Sequence, residues 1–180
     1  MNICLFGASS EEINKVYFEE VEKLGKMMAQ RGHGMVFGGG KTGLMGAAVR
    51  GLSAAGGTSI GIAPRFFDQP GVLFEDCTKF IFTDTMRERK QLMEDNSDAF
   101  IIVPGGIGTF EEFFEILTLK QLGRHNKPIA IFNINNYYDD INKIITKAAD
   151  EGFLKKNHLN IFKISDDASE LLDYIEANNL

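Results

Sequence analysis

The stretch Phe100-Ile101-Ile102-Val103-Pro104-Gly105-Gly106-Ile107-Gly108-Thr109-Phe110-Glu111-Glu112 holds a strand, a turn and a helix start in immediate succession. Four consecutive apolar residues with no polar alternation fit a strand covered on both faces. Proline ends that strand, since it has no amide to give to a ladder. Three glycines within the next four residues let the backbone turn its amide donors toward one point, and the helix that follows adds the positive end of its dipole. Buried strand, glycine turn and helix amino terminus together are the phosphate-binding unit of open α/β sheets.

Outward from this unit the same alternation fills the chain. Strands are expected at Asn2 to Phe6, Met35 to Phe37, Ser59 to Ala63, Lys79 to Thr83, Phe100 to Val103, Ile129 to Asn133 and Asn160 to Lys163. Helices are expected near Glu12 to Arg31, Gly43 to Ala55, Thr85 to Asn96, Phe110 to Leu122, Tyr138 to Glu151 and Ala168 to Asn178. Such alternation builds right-handed βαβ units. The fold class is therefore α/β, a Rossmann-like doubly wound sheet of about seven mostly parallel strands with helices on both faces. The runs Phe100 to Val103 and Ile129 to Phe132, apolar throughout, are the expected central strands. Ligands in such sheets collect beyond the carboxyl ends of the strands, which directs attention to the loops after Phe37, Thr83 and Val103.

The 180 residues are 44% hydrophobic and 24% charged, a composition that supports one well-buried core. One nucleotide-binding domain spanning 1–180 is expected. A net charge of −6 argues against a nucleic acid or anionic membrane partner, so a bound anion must be held locally. Cys4 and Cys77, in apolar strand-like runs without CxxC spacing, form neither a disulfide framework nor a zinc site. No signal-peptide pattern or long apolar run is present, and the expected location is the cytoplasm.

A second glycine loop, Gly38-Gly39-Gly40-Lys41-Thr42-Gly43-Leu44-Met45-Gly46, formally satisfies GxGxxG at Gly38, Gly40 and Gly43. The acidic residue that a dinucleotide site places about 20 residues further on is missing; Gly61-Ile62-Ala63-Pro64-Arg65 stands there. Gly40-Lys41-Thr42 also resembles the end of a P-loop, but the motif's first glycine falls on Met35. Anion contact and tight-turn packing both stay open for this loop.

Two readings are open for Thr109 and Glu112 as well. T-x-x-E is a capping box that satisfies a helix's first amides with no ligand. Alternatively, Glu112 lies one turn, about 4.5 Å of rise, inside a helix start built for an anion. A carboxylate beside a phosphate makes chemical sense if the reacting carbon of the same substrate develops positive charge, as an anomeric carbon does in glycosidic cleavage. Glu115 can share that face, whereas Glu111 points about 100° away. The third element is Met86-Arg87-Glu88-Arg89-Lys90, where cations at a helix start oppose the dipole and call for an anionic partner. Arg89 and Lys90 are the candidates; Arg87 reads as solvated.

With these elements in place the chain resembles the LONELY GUY family of cytokinin riboside 5′-monophosphate phosphoribohydrolases, long labelled possible lysine decarboxylases. The resemblance rests on Gly7-Ala8-Ser9-Ser10, Phe37 to Gly40, Gly43 to Gly46, Glu88-Arg89-Lys90, the PGGxGTxxE motif at Pro104 to Glu112, Gln121-Leu122-Gly123 and Lys127-Pro128. It implies that Gly105, Gly106, Gly108 and Thr109 receive the 5′-phosphate, that Glu112 is the catalytic carboxylate and that Arg89 is the second essential residue. Lys90, Gly39, Gly40, Met86 and Glu115 complete the expected substrate-binding set. The implied reaction is hydrolysis of the N-glycosidic bond of a purine nucleoside 5′-monophosphate, AMP or an N6-modified adenine, to free base and ribose 5-phosphate. No metal or cofactor is required, and the scattered His33, His125 and His158 read as surface or loop residues. The chain has Arg87 and Leu119 where the family often has histidine and tryptophan. The family also implies a homodimer, which the apolar helix around Phe113, Phe114, Ile116 and Leu117 could support, although these residues serve equally as core.

Two other functions compete. A non-catalytic nucleotide or molybdenum-cofactor carrier needs the glycine cradle but no carboxylate at Glu112. A lysine decarboxylase needs a lysine in Schiff-base linkage to pyridoxal phosphate, and nothing in the sequence singles one out.

Overall fold

Strand β1 (Asn2–Phe6) is the middle of seven parallel strands in the order β4-β3-β2-β1-β5-β6-β7. The computed structural model describes residues 1–179. The other strands are β2 (Gly34–Phe37), β3 (Ser59–Pro64), β4 (Lys79–Thr83), β5 (Ala99–Ile102), β6 (Ile129–Phe132) and β7 (Lys163–Ser165). The helices are α1 (Lys15–Gln30), α2 (Gly43–Ala54), α3 (Met86–Asp95), α4 (Ile107–Gln121), α5 (Asp139–Asp150) and α6 (Ala168–Asn178). Every strand pairing is parallel.

The period of two along each strand divides the interior into two cores. Ile3, Leu5, Met35, Phe37, Ile101 and Val103 enter the core covered by α1, α2 and α6. Cys4, Phe6, Val36, Phe100 and Ile102 enter the opposite core with Met93 of α3, Phe113 and Ile116 of α4 and Ile145 of α5. Phe113, Ile116 and Leu117 are thus intrachain core, while Phe114 keeps an exposed ring. β6 is second from the edge rather than central, and its unbroken apolar character follows from cover on both faces.

Several boundaries move for identifiable reasons. The Asn14 side chain accepts a hydrogen bond from the Val16 amide and starts α1 at Lys15 rather than near Glu12. The run at Asn160 to Lys163 is not a strand: Lys156–Asn160 form a 3₁₀ turn, Phe162 drops into the core, and β7 begins only at Lys163. Cys77 lies in the loop before β4, and Cys4 is buried in β1. His33 lies in the loop between α1 and β2, as expected, but away from the surface. It is buried with Nε2 2.8 Å from Glu176, and Arg31 beside it holds Asp173 at 2.5 Å, so the end of α1 is tied to α6.

The chain leaves β1 toward β2 on one side of the sheet centre and leaves β5 toward β6 on the other. This reversal opens a crevice beyond the carboxyl ends of β1 and β5. None of the helices among the described residues is long and apolar enough to cross a membrane.

Candidate active site

A cleft of about 470 Å³ occupies this switch point. Its walls come from the loop after β1 (Gly7, Ala8, Ser9), the loop after β2 (Gly38, Gly40, Thr42) and the start of α4 (Gly106, Gly108, Thr109). Arg89 of α3 and Glu112 of α4 form its floor, and Met45, Met86, Phe67, Val72 and Leu73 give it an apolar side.

Helix α4 begins at Ile107, three residues earlier than the sequence pattern suggests, with Gly106 as its N-cap. Its first internal bond runs from the Phe110 amide to the Gly106 carbonyl. The amides of Gly106, Ile107, Gly108 and Thr109 consequently have no protein acceptor among the described residues. Thr109 is the third helical residue and not the cap, so the T-x-x-E capping box does not form here. The box that does form lies at the start of α3: Glu88 receives the Thr85 amide at 3.2 Å, and the Thr85 hydroxyl receives the Glu88 amide at 3.2 Å.

Glu112 is instead bonded to Arg89, whose Nη1 donates to Oε1 over 2.8 Å. Both side chains are close to fully buried, at 8% and 11% exposure. Burial pushes the Glu112 carboxyl above its ordinary range, and the Arg89 charge and hydrogen bond draw it back only in part. Gly38 explains how the guanidinium reaches this position: a Cβ there would stand 2.2 Å from Arg89 Nη2. The same reasoning applies at Gly105, where a Cβ would lie 2.1 Å from the Thr109 hydroxyl. At Gly106 and Gly108 a Cβ would meet no protein atom within 4 Å, so packing does not demand glycine at either. Both line the cleft, and the space a methyl group would take is space for a ligand.

The remaining candidates divide. Gly40 and Met86 line the cleft with Arg89 and Glu112. Gly105 and Gly39 lie behind it; the Gly39 carbonyl accepts the Phe74 amide at 2.8 Å. Lys90 and Glu115 are not in the cleft at all. They form an ion pair at 2.9 Å in a groove between α3 and α4, and Lys90 also pairs with Glu111. Burial opposes the Lys90 charge, but these carboxylates outweigh it and hold the amine above its usual range. The anionic partners demanded by the cations of α3 are therefore supplied by α4 itself. Arg87 is exposed and, with Leu119, lines that same groove rather than the cleft.

Two parts of the cleft carry no site role in the sequence reading, although Gly7 to Ser10 are among the stretches behind the resemblance. The loop after β1 contributes Ala8, whose amide is given to the Pro104 carbonyl at 3.1 Å and whose carbonyl takes the Leu44 amide at 2.8 Å. The latter bond uses up one of the free amides of α2, and Gly43 is needed there for close packing, since a Cβ would lie 2.3 Å from the Ala8 carbonyl oxygen. The other part is the segment between β3 and β4, which crosses the cleft as a strap. Its Val72 carbonyl accepts the Lys41 amide at 3.1 Å, and Leu73 bridges Gly40.

Residues 45–175 match the family profile described as "Possible lysine decarboxylase". The chain is 37% identical over 175 residues to cytokinin riboside 5′-monophosphate phosphoribohydrolase LOG5 of Arabidopsis thaliana, an alignment covering 97% of this chain and 77% of that protein. It is 36% identical to LOG2 of the same plant over 97% of this chain and 82% of the relative. The chain belongs to the LONELY GUY (LOG) family. Among solved structures this LOG-family fold is similar to the molybdenum cofactor carrier protein of Chlamydomonas reinhardtii, with a TM-score of 0.75 at 22% identity over 98% of this chain and 96% of that one. The molybdenum cofactor binding protein of Rippkaea orientalis gives 0.74 at 22% identity, covering 98% and 95% of the two chains. At this identity the likeness extends to the fold alone.

Proposed function

We propose that this protein hydrolyses the N-glycosidic bond of a purine nucleoside 5′-monophosphate, releasing the base and ribose 5-phosphate, as the names of its LOG relatives state for cytokinin riboside 5′-monophosphates. The observation that carries the reading is the buried Arg89–Glu112 pair on the floor of a cleft bordered by unpaired helix amides. The 5′-phosphate binds the amides of Gly106, Gly108 and Thr109 at the positive end of α4. Glu112 lies three to six residues further along the helix, roughly 4.5–9 Å of rise, an interval that a ribose can span. There the carboxylate stabilises the positive charge that develops at the anomeric carbon, or orients the attacking water. Arg89 holds the carboxylate in place by a hydrogen bond, and its charge opposes the upward push of burial on the Glu112 carboxyl. The apolar side made by Met45, Phe67, Val72, Leu73 and Met86 receives the base. Gly105 supports the cradle from behind. The protein acts in the cytoplasm as a homodimer in which the α3–α4 groove, with Arg87, Leu119 and the exposed Phe114, faces the second copy.

Pyridoxal phosphate, which the family's older description implies, does not fit this site. A Schiff base needs a lysine amine facing the cofactor, and no lysine lines the cleft among the described residues. A carrier would need the cradle but gains nothing from a buried carboxylate, whose ionisation costs energy. The test is incubation with AMP and N6-isopentenyl-AMP, with free base and ribose 5-phosphate measured by chromatography. Stoichiometric appearance of both products supports hydrolysis. Tight binding without turnover across a nucleotide panel overturns it in favour of a carrier.

A further inference from the structure

The loop after β6 reaches the back of the phosphate cradle with two adjacent tyrosines. Tyr137 donates its hydroxyl to the Gly105 carbonyl at 2.6 Å, and Tyr138 donates to the Val103 carbonyl at 2.8 Å. Their placement is specified locally. Asn135 and Asn136 both adopt left-handed backbone, at φ 54° and 59°, a conformation asparagine tolerates better than most residues. Asn133 then closes the turn by accepting the Tyr138 amide at 2.7 Å. The Tyr137 ring packs edge-on against Tyr17 of α1, and Tyr138 packs edge-on against Phe110 of α4.

The two hydroxyls differ in what they can aim. A trans peptide unit is planar, with its carbonyl and its N–H pointing in opposite directions. The Gly105 carbonyl shares a unit with the Gly106 N–H, so fixing the one toward Tyr137 fixes the other away from it. Gly106 stands between the cleft and the adjoining groove that holds Tyr137, Gly105 and Tyr17, lining both, and its amide has no protein acceptor among the described residues. The Val103 carbonyl shares its unit with Pro104, which has no N–H to direct.

We infer that Tyr137 is a positioning residue that orients the Gly106 amide toward the 5′-phosphate, while Tyr138 only anchors the chain. The inference rests on the proposed function and deepens its account of phosphate binding. It is tested by titrating ribose 5-phosphate, and separately adenine, into the wild type, Tyr137→Phe and Tyr138→Phe, with thermal unfolding of all three. Tyr137→Phe weakens ribose 5-phosphate binding roughly 3- to 10-fold, the effect of one hydrogen bond, and raises KM for the nucleotide with kcat within about twofold, while adenine binding stays put and the melting temperature falls less than in Tyr138→Phe, because Tyr137 is exposed and water from its groove can replace the lost hydroxyl. Tyr138→Phe leaves a buried carbonyl unpaired and does the opposite, lowering the melting temperature with ribose 5-phosphate affinity unchanged. Unaltered ribose 5-phosphate affinity in Tyr137→Phe, or equal weakening of both ligands in both variants, overturns the inference while leaving the hydrolase reading intact. A wild-type protein that binds no ribose 5-phosphate overturns both.

Discussion

Replacing Glu112 by glutamine separates catalysis from stability. Glutamine keeps the volume of the side chain and an oxygen to accept from Arg89 Nη1, which donates to Glu112 at 2.8 Å. Only the negative charge is lost. If that charge stabilises the transition state or activates water, turnover falls roughly 10²- to 10⁴-fold, or about 2.7–5.4 kcal/mol at 1.36 kcal/mol per decade. The stability effect runs the other way. The folded state raises the Glu112 pKa above its unfolded value, so the folded protein binds that proton more tightly than the unfolded chain. Stabilisation by the neutral form is complete below the unfolded value and is lost as pH rises through the folded one. Glu112→Gln removes that cost of the buried carboxylate, but it also leaves the buried Arg89 guanidinium without its counter-charge, which acts in the opposite direction.

With the two effects opposed, the melting temperature of the variant should stay within a few degrees of the wild type, and the variant should gain relative to the wild type as pH rises from about 4. The assay combines chromatographic release of base, calorimetric titration of ribose 5-phosphate and thermal unfolding from acid to neutral pH. Ribose 5-phosphate binding should survive, because the amides at the start of α4 are untouched. Wild-type turnover in the variant would refute the reasoning. So would a loss of turnover that only follows a drop in melting temperature, which is what a helix-capping role would produce.

Arg89→Gln takes away the charge that holds the Glu112 pKa down, so turnover falls and the acid limb of kcat/KM, already above the ordinary carboxylate range in the wild type, moves further up; a pH-rate profile checks both parts. Arg89→Ala goes further, since leaving a buried carboxylate without its partner costs about 3–5 kcal/mol, and chemical denaturation together with substrate titration should show binding, turnover and stability falling in concert. Gly38→Ala puts a Cβ where Arg89 Nη2 now stands, and it should displace the guanidinium and cut kcat severely with ribose 5-phosphate affinity retained in calorimetry. Gly106→Ala meets no protein atom, so its melting temperature should equal that of the wild type while KM for the nucleotide rises through intrusion into the cleft.

The fold and half of the site were legible because they depend on local signals. Unbroken apolar runs such as Phe100 to Ile102 name the doubly covered strands, and a glycine turn before a helix marks the ligand end of the sheet. The helix boundary at Ile107 was less legible, since Gly106 serves as N-cap with no side chain to announce it, and the T-x-x-E pattern drew attention to Thr109. Lys90 and Glu115 look like site residues because their charges fit the motif. Which face of α3 and α4 each occupies is decided by packing between the helices, and that pairing has no local signature. The strap between β3 and β4 was invisible for a related reason. It has no periodicity, and it is held over the cleft by two backbone hydrogen bonds to the Gly39–Lys41 turn, which together make the Gly40–Leu73 bridge and depend on no particular side chain.

The buried pair also explains how one cleft can hold a phosphate and a carboxylate together. When Glu112 is ionised, its bond to Arg89 leaves the floor with no net charge, so an incoming dianion would meet backbone amides and a helix dipole without facing an uncompensated anion. Charge separation at the floor becomes useful only when the anomeric carbon turns positive, because a carboxylate already stripped of water responds strongly in a low-dielectric site. On the proposed reading, ground-state affinity resides at the start of α4 and rate acceleration at Glu112. Free ribose or an unphosphorylated nucleoside, lacking the group that the amides hold, should lose most of its binding while facing the same catalytic floor. The contrast between nucleoside and nucleotide therefore reads the cradle alone, just as Glu112→Gln reads the floor alone.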